Sequence, residues 1–169
     1  MLQYQGVANN PFAVLTAIVA PAILTNASSV LALGTSNRLA RVVDRTRIVA
    51  EDVASYAPAS PEYIAWSVQL SVLEVRAQML IKALRLFYAA LGLFAASALV
   101  SIAGSTAAYY GLRTGFAVCA GLAIGTGASA VVGLSVGCSL MVHETQKAVK
   151  SLTEESKLRI KFRLSRPAN

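Results

Sequence analysis

Side chains able to act as nucleophiles, bases or metal ligands are sparse in this 169-residue chain, and they do not stand at the spacings such chemistry needs. The single histidine, His143, has no second histidine or cysteine beside it to share a metal or a proton, and reads as a solvated residue at a helix end. The two cysteines, Cys119 and Cys138, would lie roughly 28 Å apart on one helix, well beyond disulfide reach. Neither has a partner at metal-ligand spacing, so both read as small buried residues. No Ser/His/Asp set, paired carboxylate or phosphate-cradling loop is legible, and the glycines cluster inside apolar runs where nucleotide phosphates do not go. The expectation is a non-enzymatic protein with no cofactor and no metal.

The elements that carry these residues are set by hydropathy. Hydrophobic residues make up 56% of the chain and charged ones 14%, with a mean hydropathy of +0.59. The charges are clustered: Phe12 to Asn37, Leu86 to Leu112 and Thr114 to Val142 contain none. Each run exceeds the roughly 20 residues that cross a ~30 Å hydrocarbon core, where backbone groups find no water and must close on themselves as helix. The fold class expected is an all-α membrane protein with three transmembrane helices, at 11–34, 86–110 and 116–142. An extracytoplasmic tail (1–10) precedes the first span, and an extracytoplasmic turn (111–115) joins the last two.

Basic residues set the orientation. Seven of the fifteen lie in 35–85 (Arg38, Arg41, Arg45, Arg47, Arg76, Lys82, Arg85) and seven in the tail (Lys147, Lys150, Lys157, Arg159, Lys161, Arg163, Arg166). The positive-inside bias places both regions in the cytoplasm and the uncharged N-terminus outside. The location expected is a bacterial inner membrane, multi-pass, with the C-terminus cytoplasmic. A net charge of +7 invites nucleic acid as partner, but the basic residues hug the ends of apolar runs, where anionic lipid attracts them, and form no stripe with interleaved aromatics. The bilayer is the partner expected, and nucleic acid is not.

Residues 35–85 read as an antiparallel helical hairpin with its tip at 58–61. Leu39, Val42, Thr46, Val49, Val53 and Tyr56 alternate spacings of three and four, a coiled-coil seam. Pro58-Ala59-Ser60-Pro61 breaks the chain; Ser60 suits an N-cap, Pro61 the first turn, and Glu62 the helix dipole. The second arm carries two apolar stripes. Trp66, Leu70, Leu73, Ala77, Leu80 and Leu84 form one; Val68, Val72, Val75 and Met79 form another, nearly opposite. One stripe packs on the first arm. The other needs the C-terminal helix or, as favoured here, a neighbouring subunit.

Within the spans, Asn26 is costly against lipid and is expected to face another helix. Ala117, Gly121, Gly125, Ser129, Gly133 and Gly137 recur at every fourth position, a row that lets backbones approach closely. Four residues advance about 400°, so the row drifts about 40° per step and must serve more than one neighbour. Helix packing is the reading preferred over pore lining. In the tail (143–169), a short helix is expected to about Ser156, with Glu144 near Lys147. From Lys157 the period becomes two, Lys157, Arg159, Lys161 and Arg163 alternating with Leu158, Ile160, Phe162 and Leu164, which indicates a strand.

The run Asn37-Arg38-Leu39-Ala40-Arg41-Val42-Val43-Asp44-Arg45-Thr46-Arg47, after an apolar stretch containing Ala20-Pro21, resembles a bacterial family of membrane proteins of unknown function, DUF2721. The resemblance implies an inner-membrane location and supplies no activity or catalytic residue. Arg38, Arg41, Arg45 and Arg47 read as headgroup anchors or as interface residues between subunits. The function expected is structural or scaffolding, in a homo-oligomer. The alternatives are an oligomeric ion channel and an accessory subunit of a larger membrane complex.

Overall fold

The computed structural model describes the backbone of residues 11–58 and 60–165, and the side chains of Val19, residues 22–58 and 60–150, and Thr153. Three helices account for nearly all of it: α1 (Pro11–Ala54), α2 (Pro61–Tyr109) and α3 (Arg113–Ser165). No strand occurs among the described residues.

The breaks between helices follow from local chemistry. α1 ends at Ala54, where Ser55 turns its amide back to Asp52 O at 3.1 Å. Tyr56 therefore lies past the helix and is 39% exposed, outside the seam its spacing suggested. Ser60 Oγ accepts the Tyr63 amide at 3.1 Å and Pro61 occupies the first turn of α2, where its missing N–H costs nothing. α2 closes on Gly111, at φ +72°, with Leu112 N–H donating to Ala107 O and Gly111 N–H to Ala108 O. That pair of bonds is a Schellman cap, and the left-handed residue between them is why glycine stands there.

Among the described residues, two helices are long and apolar enough to cross a membrane: α2, and α3 over Arg113–Lys150. Only 22% and 6% of their most apolar windows are buried inside the chain. Both exceed the length a ~30 Å core requires, so only part of either helix can lie in lipid. The three-span expectation is corrected here. α1 is helical throughout, but from Ala22 onward Thr25, Asn26, Ser28, Ser29, Gly34, Thr35, Ser36 and Asn37 dilute its apolar residues before Arg38 arrives, and over its described residues it does not qualify. Placing the N-terminus outside rested on that span, and residues 1–10 lie outside those described.

The strand is corrected as well. α3 runs on through Ser165, across the whole alternating segment. A helix already propagating gains a backbone hydrogen bond with each added residue, whereas a lone strand has no edge to pair with. Alternation of charge with apolar residues was the wrong cue. Residues 166–169 lie outside those described.

The chain divides into two compact units. The first joins α1 up to Leu33 with Arg85–Gly137, and the second joins Gly34–Leu84 with the chain from Cys138. In the first, Ala90, Phe94 and Ala130 form a core against which Leu24, Leu93 and Leu134 pack. Phe87 is fully buried, and Ser97 Oγ crosses from α2 to donate to Ala123 O of α3 at 2.8 Å. In the second, Val42, Val49, Trp66, Leu73 and Leu80 form the core, with Leu39, Val53, Leu70, Ala77 and Met141 packed on it. The heptad step from Val42 to Val49 on α1 meets that of Trp66, Leu73 and Leu80 on α2, so one face of each arm is consumed.

Candidate functional site

Three helices of the second unit bring charge to one place. Arg38, Arg41 and Arg45 recur at three and four residues and so share a face of α1. Arg76 of α2 and Glu144 and Thr145 of α3 stand opposite. Together they line an open recess of about 480 Å³. Glu144 is its pivot, with a side chain only 4% exposed. Arg76 donates Nε and Nη2 to Glu144 Oε1, each at 3.0 Å. Arg38 Nη1 lies 3.9 Å from Glu144 Oε2 and donates to Thr145 Oγ1 at 3.1 Å.

The two pairs are unequal. The Arg76 side chain is 14% exposed, so its bonds to Glu144 are largely shielded from water. Arg38 is 48% exposed, and at 3.9 Å its attraction is that of a surface pair, worth at most ~1 kcal/mol. Glu144 thus fixes Arg76 and only leans Arg38 inward. Arg41, exposed, donates Nε to the Asn37 carbonyl of its own helix at 3.3 Å. Arg47 is exposed and does not line the recess.

Arg76 and Glu144 were not singled out as a site from sequence, and Glu144 was expected only near Lys147 on the short helix of the tail. The structure buries it instead. Its partner is 68 residues away, a separation no local spacing rule reaches.

The small-residue row of α3 divides. Gly137 is buried, and a Cβ built there would come within 2.6 Å of Phe87 Cε1. Gly133 is half-buried, its would-be Cβ 4.0 Å from Leu86 O. Ala117, Gly121, Gly125 and Ser129 are exposed, and Gly121 and Gly125 would meet nothing within 4 Å. The drift of the row carries its C-terminal end onto α2 and its N-terminal part away from it. Two close approaches lie off the row and were missed: Gly104, whose would-be Cβ sits 2.9 Å from Cys119 Cβ, and Gly127, 3.3 Å from Ser97 Oγ. Their signal was the small residue alone, without a period. Asn26 is exposed on α1, while the neighbouring Ser28 is buried and bonds Leu24 O at 2.9 Å.

Among the described residues no three His, Cys, Asp or Glu side chains converge as a metal site. Over the described residues the chain is all-α, three long helices of which two are apolar enough to cross a membrane, with a charged cluster in one of its two units. The chain belongs to the DUF2721 family, described as protein of unknown function, whose model matches residues 18–154. No curated protein and no solved structure matches it.

Proposed function

We propose that this protein is a non-enzymatic, homo-oligomeric integral membrane protein of the bacterial inner membrane with a scaffolding role. One observation carries the reading. In the second unit the α2 stripe of Trp66, Leu73 and Leu80 is buried, while Ile64 (55% exposed), Val68 (58%) and Val75 (44%) stay uncovered on the opposite side. This segment carries Arg76, Lys82 and Glu74, so it stands in water, where uncovered valines and isoleucines on one helix face favour a partner. A second copy of the chain supplies the same face. α1 and α2 act as a coiled coil that adds further arms through that stripe.

The membrane part of the reading rests on the poor burial of the apolar windows of α2 and α3: a soluble core helix is mostly covered, and these are not. The basic residues then put the second unit and the C-terminal tail in the cytoplasm and the Tyr110–Leu112 turn outside. Association would also use the exposed end of the α3 row, Gly121, Gly125 and Ser129, because small residues let helices approach in lipid.

Native mass measurement of the particle in detergent or nanodiscs is the test. A discrete multimer is expected, and a folded monomer at micromolar concentration ends the proposal. A second reading, an oligomeric ion channel, draws on exposed Gly121, Gly125, Ser129 and Asn26 as a polar or open-backbone surface toward an axis. Ion flux in reconstituted liposomes under voltage or tension separates the two, and its absence leaves the scaffold. A fixed-stoichiometry companion on purification would instead make the chain an accessory subunit.

A further inference from the structure

The recess of the second unit is overcharged. Among the described residues, four arginines, Arg38, Arg41, Arg45 and Arg76, line it against one carboxylate, Glu144. Arg45 has an interaction of its own and is set aside. Among the described residues the remaining three line the recess with a single carboxylate, an excess of two positive charges. Arg38 and Arg41 line the same recess, and an anion held between like charges offsets their repulsion.

We propose that the recess binds a phosphate group through Arg38 and Arg41, beside the Arg76–Glu144 pair. Guanidinium groups present rigid forks of N–H donors that match phosphate oxygens, which makes arginine the residue for this task. Arg38 donates Nη1 to Thr145 and leans on Glu144, yet is 48% exposed, so part of its five-donor fork stays in contact with solvent. Arg41, one turn on and exposed, commits only its Nε to a backbone carbonyl of its own helix. Arg76 is different: its Nε and Nη2 both donate to Glu144 Oε1, which offsets its charge, and its side chain is only 14% exposed, so the phosphate is assigned to the two exposed arginines. The size fits, since about 480 Å³ of open space holds a phosphate with part of what it esterifies.

Position bears on where the phosphate comes from. Glu144 and Thr145 stand just past His143, at the end of the charge-free run of α3 that closes at Val142, and Arg38 of α1 reaches Thr145. A lipid headgroup at the membrane surface would meet these residues first, while a free phosphate would arrive from the water. The shared chemistry is a phosphate carrying negative charge, and the experiment separates the two sources. The proposal does not depend on the oligomer.

The full chain is placed in phosphatidylcholine nanodiscs, with and without phosphatidylglycerol, and lipid retention is read by native mass spectrometry. In a parallel arm, inorganic phosphate is titrated into the phosphatidylcholine sample, with chloride at equal ionic strength as control, and the thermal midpoint is followed. Retention of phosphatidylglycerol over phosphatidylcholine, or a midpoint rise with phosphate alone, supports the site and names its source. R38Q/R41Q changes two exposed side chains and should fold; it should bind about tenfold more weakly for each arginine removed. R47Q, on the same helix but off the recess, should bind as the native chain does. Equal binding by R38Q/R41Q, or no preference for either phosphate probe, overturns the proposal. So does a change of particle mass in R38Q/R41Q with phosphate binding unchanged, because the excess charge would then be met by a neighbour's carboxylate.

Discussion

Glu144 Oε1 accepts two hydrogen bonds from Arg76, from Nε and from Nη2, each at 3.0 Å, across 68 residues of sequence. The carboxylate is 4% exposed and the guanidinium 14%, so this pair ties α2 to α3 where water does little to weaken it. Its worth shows when one member is removed. E144A strands Arg76 in a shielded place and should cost about 3 kcal/mol, lowering the thermal midpoint by several degrees. R38A should cost ~1 kcal/mol or less, because Arg38 sits half in water. R76L/E144L, which replaces both charges with apolar groups, should recover much of the E144A loss. Thermal unfolding of the detergent-solubilised variants gives the order, and E144A no worse than R38A would refute it.

Gly137 and Gly121 lie on one row of α3 and should respond oppositely to the same change. A Cβ at Gly137 would meet the ring of Phe87 at 2.6 Å, and that ring is fully buried and has little room to retreat. G137A should therefore destabilise the single chain by about 1–3 kcal/mol, with F87L relieving part of it. A Cβ at Gly121 meets nothing within 4 Å, so G121A leaves the chain's own packing alone and gains helix propensity of roughly 0.5–1 kcal/mol. If G121A nonetheless weakens the multimer, Gly121 faces a neighbour. Unfolding midpoint and particle mass, measured together, distinguish the two effects.

How far the sequence carries can be judged on these same residues. The stripe of Trp66, Leu73 and Leu80 was visible because helical periodicity is local, and the Ser60-Pro61 start of α2 because a cap needs only adjacent residues. Glu144 was not, because burial of a carboxylate is decided by what another helix brings to it. The drift of the glycine row was calculable, yet which end turns toward Phe87 depends on where α2 lies. At Lys157 to Leu164 the period-two pattern pointed to a strand, and the chain had no edge to offer one, so the helix simply continued. Counting α1 as a span weighed the absence of charge and underweighed its serines, threonines and asparagines.

Val68 and Val75 test the assembly without touching the core. Both are exposed, at 58% and 44%, while Leu73 between them is 2% exposed. V68E/V75E should leave the midpoint of the single chain within ~0.5 kcal/mol of native, as surface changes do, and reduce the particle to a smaller species. L73A is the counterpart. It removes a buried side chain and should cost about 2–5 kcal/mol whatever the oligomeric state. A double glutamate variant of unchanged mass would remove that face from the interface.

Sidedness follows from the two helices apolar enough to span and from where their charges fall. α2 leaves its charged part after Arg85 and α3 regains charge at Glu144, so on the proposed reading that both helices cross, the ends that carry Arg76, Glu144 and Lys147 are expected on one side and the Gly111 turn on the other. In a chain whose Cys119 and Cys138 are replaced by alanine, a cysteine introduced by S55C should react with a membrane-impermeant maleimide only after the cells are opened. One introduced by T114C, next to the turn, should react in intact cells. Lys147 and Lys150 make the orientation strong, since positive charge near a span end resists translocation. Reversing them to glutamate should raise the fraction of chains labelled at Ser55 from outside. Labelling of both positions from the same side in the native background would break the argument, because no arrangement of two crossing helices puts the Ser55 end and the Gly111 turn together.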